Sequence, residues 1–167
     1  MENVPVLIES ASIDSGKLSI QWKLAYVTPV HKGGDKMTAN NHRPISLTSI
    51  PCKLIEPLVF HYLNQKLNDF LYIRQHGFRR GMSWETQLCA TFHKLARTAE
   101  EKIATRTVVL DFKKAFEKVP HALLTQKLKQ VPDMHPQLVN WVQDFLMNRR
   151  QRVAMKGESS SEQELSS

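Results

Sequence analysis

One stretch limits the architecture more than any other: TRTVVLDF, residues 105–112, a short β-branched run that ends in a carboxylate. A run of this length and composition predicts a strand buried on both faces, and such a strand needs other elements to cover it. Helical patterns flank it. Upstream, Ser49 and Pro51 open a helix whose Leu54, Leu58, Tyr62 and Leu63 share one stripe, continued by Leu67, Phe70 and Leu71. QHGFRRGMS then breaks the period, and Ser83 caps a second helix carrying Leu88, Phe92, Leu95 and Ala99. Downstream, HALLTQKLKQV and HPQLVNWVQDFLMNR read as two amphipathic helices, the second with Pro136 in its first turn.

Two further strands are expected. WKLAYVTPV carries Leu24 and Tyr26 until Pro29 interrupts it, and RQRVAMKG has the same character. The polar, glycine-paired HKGGDKMTANNHRP is a loop or hairpin tip. The order strand, helix, helix, strand predicts an α+β sheet covered by helices, in one compact unit without repeats or a convincing linker. The expected divisions are a lead-in over residues 1–20, with an apolar segment ending near Gly16, then a body over 21–156. A polar tail over 157–167, containing ESSSEQELSS, is expected to be unfolded.

Charge narrows the partners. The net +7 is spread unevenly: residues 1–20 and 156–167 each sum to −2, which leaves +11 on residues 21–155. A basic centre of this kind favours a phosphate-rich partner, although a merely solvated basic surface would look the same. No apolar run reaches the roughly 20 residues that cross a bilayer, and MENVPVLIES lacks the layout of a signal peptide. Cys52 and Cys89 match no metal-ligand spacing, which suits a reducing, intracellular compartment. The seven histidines show no zinc pattern.

The chemistry centres on Asp111. A carboxylate just past a buried strand sits on a rigid edge and can hold a hard cation through oxygen. Magnesium is commonly held by one or two carboxylates together with substrate phosphates. Lys32 and Arg43, on and beside the polar loop, are candidates to hold those phosphates, lysine as a point charge and arginine through its planar fork. The plainer alternative is that Asp111 caps the turn containing Ala115 and Phe116.

Four blocks occur in order: WKLAYVTPVHKGGDK, NNHRPISLTSIPCKLIE, QHGFRRGMSWETQL and LDFKKAFEKVPHALLTQKL. Together they resemble the reverse transcriptase domain of non-LTR, LINE-type retrotransposons, over roughly Gly16 to Gly157. RPISLTS and QHGFR are the most characteristic. The resemblance implies a partial right-hand polymerase fold, with fingers up to about Leu95 and TVVLDFKKAFE on the first palm strand. It implies that Asp111 is a catalytic aspartate and a ligand shared by two Mg2+ ions, and that the Phe112 main-chain carbonyl reaches a metal. Lys32, Arg43, Phe112 and Phe116 are then nucleotide-binding residues. Phe116 is the bulky gate that clashes with a ribose 2′-OH, and Arg43 contacts the triphosphate. Gln75, Phe78 and Arg79 line the template path. Each has a duller alternative: Phe116 and Phe78 as core residues, Arg43 as a surface charge.

Two departures qualify the resemblance. The family usually has aspartate where Glu117 stands. The chain also holds no Asp-Asp pair, so neither the Y/F-x-D-D turn nor the G-x-P-Q-G block is present. The resemblance therefore implies the first part of a polymerase, truncated before its second carboxylate block and expected to be inactive by itself. A complete domain would extend a DNA primer on an RNA template with dNTPs, by two-metal chemistry, in the nucleus or cytoplasm and without a membrane anchor. A catalytically dead nucleic-acid-binding remnant and a degenerate or partial gene product are the alternatives.

Overall fold

The strand beginning at Leu24 owes its place to small apolar residues on alternate positions. In the computed structural model, which describes residues 4–116, 118–155 and 157–165 (side chains from residue 10 onward), Ala25 and Val27 are buried while Tyr26 and Val30 are exposed. This strand, β1 (Leu24–His31), pairs antiparallel with β2 (His42–Leu47) and parallel with β3 (Arg150–Met155). The short β4 (Glu158–Ser159) and β5 (Gln163–Glu164) follow one another along the other edge of β3. The result is a small mixed sheet of order β2-β1-β3, edged by β4 and β5.

Pro29 does not interrupt β1. It lies opposite Pro44, and two residues without N–H groups can face each other only at a non-hydrogen-bonded pair. Lys32 N donates to the Asn41 carbonyl at 2.9 Å. Counting back in alternation from that bonded pair, the Pro29–Pro44 pair falls on a non-bonded position. The parallel pairing with β3 stops at Val27, so the other edge of Pro29 needs no donor either.

The helices follow. α1 (Val4–Ser15) ends at Gly16, whose φ of +63° is left-handed and whose absent Cβ would lie 3.0 Å from Asn140 Cβ. α2 (Ile50–Leu67) starts after Ser49 with Pro51 in its first turn. α3 (Trp84–Glu100) has the expected Ser83 cap, as a capping box: Thr86 N donates to Ser83 Oγ and Ser83 N to Thr86 Oγ1. α4 (His121–Lys129) and α5 (Pro136–Leu146) complete the set.

Two compact units result, where one was expected. The first comprises residues 1–59 and 117–167, the second residues 60–116, and α2 runs from one into the other. The core of the first unit gathers Cys52, Ile55 and Val59 of α2 with Leu138, Val139, Trp141 and Val142 of α5 and the buried side of β1. Burial pushes the Cys52 thiol pKa up. Trp141 Nε1 donates to Ser12 Oγ at 3.0 Å, which fastens α1 to α5.

Three expectations fail here, each for a physical reason. On α2 the buried residues are Cys52, Ile55 and Val59, while Leu54 and Leu58 are 51% and 58% exposed; tertiary packing, which a helical stripe alone does not specify, selected the neighbouring face. The tail is not unfolded over 158–165, because β3 offers a free edge and Glu162 finds two arginines. Residues 103–112, containing VVLDF, form no strand. A strand exists only through a partner for its N–H and C=O groups, and among the described residues none pairs with this segment. Val108, Val109 and Leu110 are accordingly 78%, 87% and 85% exposed.

The Asp144 carboxylate joins distant parts of the first unit. Its Oδ1 accepts from Lys23 Nζ at 2.8 Å and its Oδ2 from Leu18 N at 2.7 Å. Lys23 is buried, so removing its partner strands a charge. Asp144→Ala is expected to cost about 3 kcal/mol in denaturant unfolding. Asp144→Asn, which can still accept from Leu18 N, is expected to cost less. A cost for Asp144→Ala within experimental error of zero would show that the bridge carries no stability.

Candidate functional site

The β1–β2 hairpin carries the candidate phosphate-binding residues. Its loop is closed by Asp35, whose Oδ1 accepts from Met37 N at 3.0 Å and whose Oδ2 accepts from Thr38 Oγ1 at 3.2 Å. Asn41 Nδ2 donates to the Asp35 carbonyl at 2.9 Å. The two histidines at the loop's base each face a carbonyl, which can only accept. His31 Nε2 therefore donates to Gly34 O at 2.9 Å, and His42 Nδ1 to Thr38 O at 3.2 Å.

This network fixes where the cations stand. Arg43 lies in β2 opposite Val30, and Lys32 follows β1 by one residue. Side chains alternate along a strand, so Lys32 shares the face of Val30 and Arg43 and is a diagonal neighbour of Arg43. Both cations are exposed. The hairpin thus presents two positive charges on one face, on a loop closed by its own hydrogen bonds.

The remaining expected residues belong to the second unit. Phe78 and Phe116 come together: their rings meet edge to face at 6.3 Å, and each is 80% exposed. Phe78 adopts a φ of +59°, a left-handed conformation uncommon for a bulky residue. Gln75 folds back locally, its N donating to Tyr72 O at 2.8 Å and its Nε2 to Gly77 O at 3.4 Å. Arg79 is engaged inside the unit. It donates through Nη1 to Tyr72 O at 3.2 Å and through Nη2 to Asn68 O and Oδ1, at 3.4 and 3.0 Å. Its guanidinium therefore braces the turn after α2.

Asp111 and Phe112 sit on the irregular segment, both exposed. Residues 113–116 form a turn, the one that the plainer alternative would have Asp111 cap. Glu117 lies outside the described residues. Among the described residues, no three His, Cys, Asp or Glu side chains gather as a metal-binding group. The donor types at Asp111 and Phe112, a carboxylate and a carbonyl, are of the oxygen kind that magnesium takes.

One feature escaped the sequence. A cavity of about 340 Å³ in the second unit is lined by His61, Asn64, Gln65, Asn68 and Arg80. The signal was there in the polar i, i+4 pairs His61–Gln65 and Asn64–Asn68 at the end of α2, which the apolar stripe overshadowed. Asn68 joins this cavity to Arg79, whose Nη2 it accepts.

Gly34 is held by both its backbone conformation and a close neighbour. Its φ is +78°, and a Cβ would lie 2.8 Å from Asn41 Nδ2. Gly34→Ala is expected to lose about 1–2 kcal/mol, from the left-handed strain alone. It should also release the Asn41–Asp35 bond. Hydrogen exchange at the Lys32 amide checks this: unchanged protection would show that the loop closes without the glycine.

The reverse transcriptase (RNA-dependent DNA polymerase) family matches residues 30–166. An RNA-directed DNA polymerase from the mobile element jockey of Drosophila melanogaster is 30% identical over 158 residues, 93% of this chain and 17% of that protein. The probable RNA-directed DNA polymerase of transposon BS, from the same fly, is 32% identical over 114 residues, 66% of this chain and 13% of that protein. That of the X-element is 29% identical over 113 residues, 66% of this chain and 12% of that protein. The chain thus spans 12–17% of the length of these relatives. Among the described residues no helix is long and apolar enough to cross a membrane. The chain belongs to the reverse transcriptase (RNA-dependent DNA polymerase) family, in the non-LTR, LINE-type group that its sequence blocks resemble.

Proposed function

We propose that this chain is the fingers and first part of the palm of an RNA-directed DNA polymerase that extends a DNA primer on an RNA template inside the cell. The observation that carries the reading is the family match over residues 30–166, which encloses all eight expected site residues from Lys32 to Phe116. Residues 1–20 are a lead-in to that polymerase body.

The roles follow from the chemistry of the side chains. Lys32 and Arg43, on one face of the hairpin, bind the triphosphate oxygens of an incoming dNTP and set its orientation. Asp111 and the Phe112 carbonyl would hold Mg2+, which in a complete domain neutralises charge on the phosphates and polarises the attacking oxygen. Phe116 stands where a ring excludes a 2′-OH, and its exposure supports a role facing a ligand over one in a core. Gln75 and Phe78 border the template, with Arg79 holding their turn in shape. The 167-residue chain alone is expected to give no template-directed incorporation, since it supplies one of the required carboxylates.

Two variants in the longer protein test the assignment. Asp111→Asn keeps size and hydrogen bonding but removes the charge that a magnesium ion needs, so primer extension should be lost while template binding is retained. Phe116→Ala should raise the ratio of rNTP to dNTP incorporation. Because the ring is exposed, its loss should cost far less than the roughly 3–5 kcal/mol of a buried phenylalanine. Primer extension with each nucleotide type, beside a melting temperature, gives the answer. Retained activity in Asp111→Asn, or an unchanged ratio in Phe116→Ala, would remove these residues from the site.

A further inference from the structure

Glu162 holds two arginines with one carboxylate. Its Oε1 contacts Arg150 Nη1, and its Oε2 accepts from Arg152 Nη2 at 2.9 Å. The ladder explains the arrangement. Glu164 pairs with Arg150 and Gln163 with Gln151, so the next pair in register sets Glu162 opposite Arg152, on the same side of the sheet.

The satisfaction is incomplete. Each guanidinium receives one carboxylate oxygen, although its planar fork suits two acceptor oxygens of one anion. Arg152 Nε is buried and has no hydrogen-bond partner among the described residues. The two cations share the one Glu162 carboxylate.

The segment that covers them is weakly attached. β4 and β5 are two residues each. Their registers on β3 differ by one residue, which marks a bulge at Ser160–Ser161. Between them the contacts are Ser160 N to Val153 O at 2.9 Å and Val153 N to Ser160 Oγ at 3.0 Å. Beyond β5, Leu165 N donates to Arg149 O at 2.9 Å. Segments with so few bonds open at low cost in free energy.

What lies beside the pair indicates an occupant. Arg152 is in register with Tyr26 of β1, and Tyr26 with Leu47 of β2, so the arginines border an exposed aromatic and aliphatic surface. Phosphate-binding arginines next to an exposed ring form the minimal site for a single strand, phosphates on the cations and a base stacked on the ring.

We propose that Arg150 and Arg152 form a phosphate site for single-stranded RNA, and that the acidic strap Glu158–Leu165, through Glu162, occupies it as an internal competitor. The proposal rests on the nucleic-acid reading above and extends it to residues that reading does not use. The RNA displaces Glu162, each arginine gains the second oxygen its fork accepts, and Tyr26 takes a base.

The test uses the whole chain and a labelled single-stranded oligoribonucleotide, titrated by fluorescence anisotropy between about 50 and 200 mM salt. Glu162→Gln keeps the strap's size and removes its charge. It should tighten binding about tenfold at the lowest salt and steepen the log–log salt slope by about 1.4, the share of two added phosphate contacts on a single strand. Adding Arg150→Gln and Arg152→Gln to that variant should abolish the gain. In the wild-type chain, saturating RNA should speed hydrogen exchange at the Ser160 and Leu165 amides, a readout that needs no variant to fold.

Wild-type binding with no gain in Glu162→Gln, or with both amides still protected, overturns the proposal and leaves the nucleic-acid reading intact. No binding by either protein at low salt overturns both.

Discussion

The sheet depends on Asp144. β1 and β3 are parallel neighbours, and a parallel pair cannot be joined by a tight turn. Here the crossover is the whole of residues 32–149, which includes the second unit, so nothing local sets the register of the two strands. Asp144 stands near the end of that crossover, six residues before Arg150, and its two oxygens reach Leu18 N and Lys23 Nζ, just before Leu24. Leu24 and Arg150 are the first pair of the parallel ladder. The carboxylate therefore draws the starts of the two strands level, and the rest of the pairing follows from that alignment.

This clamp explains other choices in the first unit. Trp141 lies three residues before Asp144 on α5 and bonds Ser12 of α1, so the same helix aligns the N-terminal segment and the strand that follows it. Gly16 is left-handed where the chain turns from α1 against Asn140. In the last turn of α5, Phe145 stacks on Trp141 at 5.2 Å and lies under the Arg149 guanidinium at 4.6 Å, which carries the order of the helix into β3. Burying Lys23 costs desolvation, and the compensation is a register that no short loop could impose.

Legibility from sequence divided along local and non-local lines. The features read correctly were set by near neighbours: the glycine-paired hairpin loop, Pro51 and Pro136 in first turns, and the Ser83 cap. The misreadings concerned partners far along the chain. The leucines of α2 pointed to one stripe, yet the residues buried are Cys52, Ile55 and Val59. Pro29 looked like an interruption because only its own missing N–H was in view; the matching proline at position 44 lay across the hairpin. The acidic tail had no periodicity of its own, and its order comes from Arg150 and Arg152.

The segment around Asp111 combines both cases. Its chemical content is local: a carboxylate, a carbonyl beside it and an aromatic ring five residues on can be recognised from their order alone. Its conformation is non-local, since VVLDF becomes a strand only where another strand meets it. Within residues 60–116 no such partner exists among the described residues, and α3 buries none of its side chains to cover an apolar run. A β-branched run that is exposed in this way has the composition of an interior strand without an interior. The physical requirement left unmet here, one ladder partner on each edge and cover on each face, would have to be met for Asp111 to be held rigidly enough for the metal-binding role proposed for it.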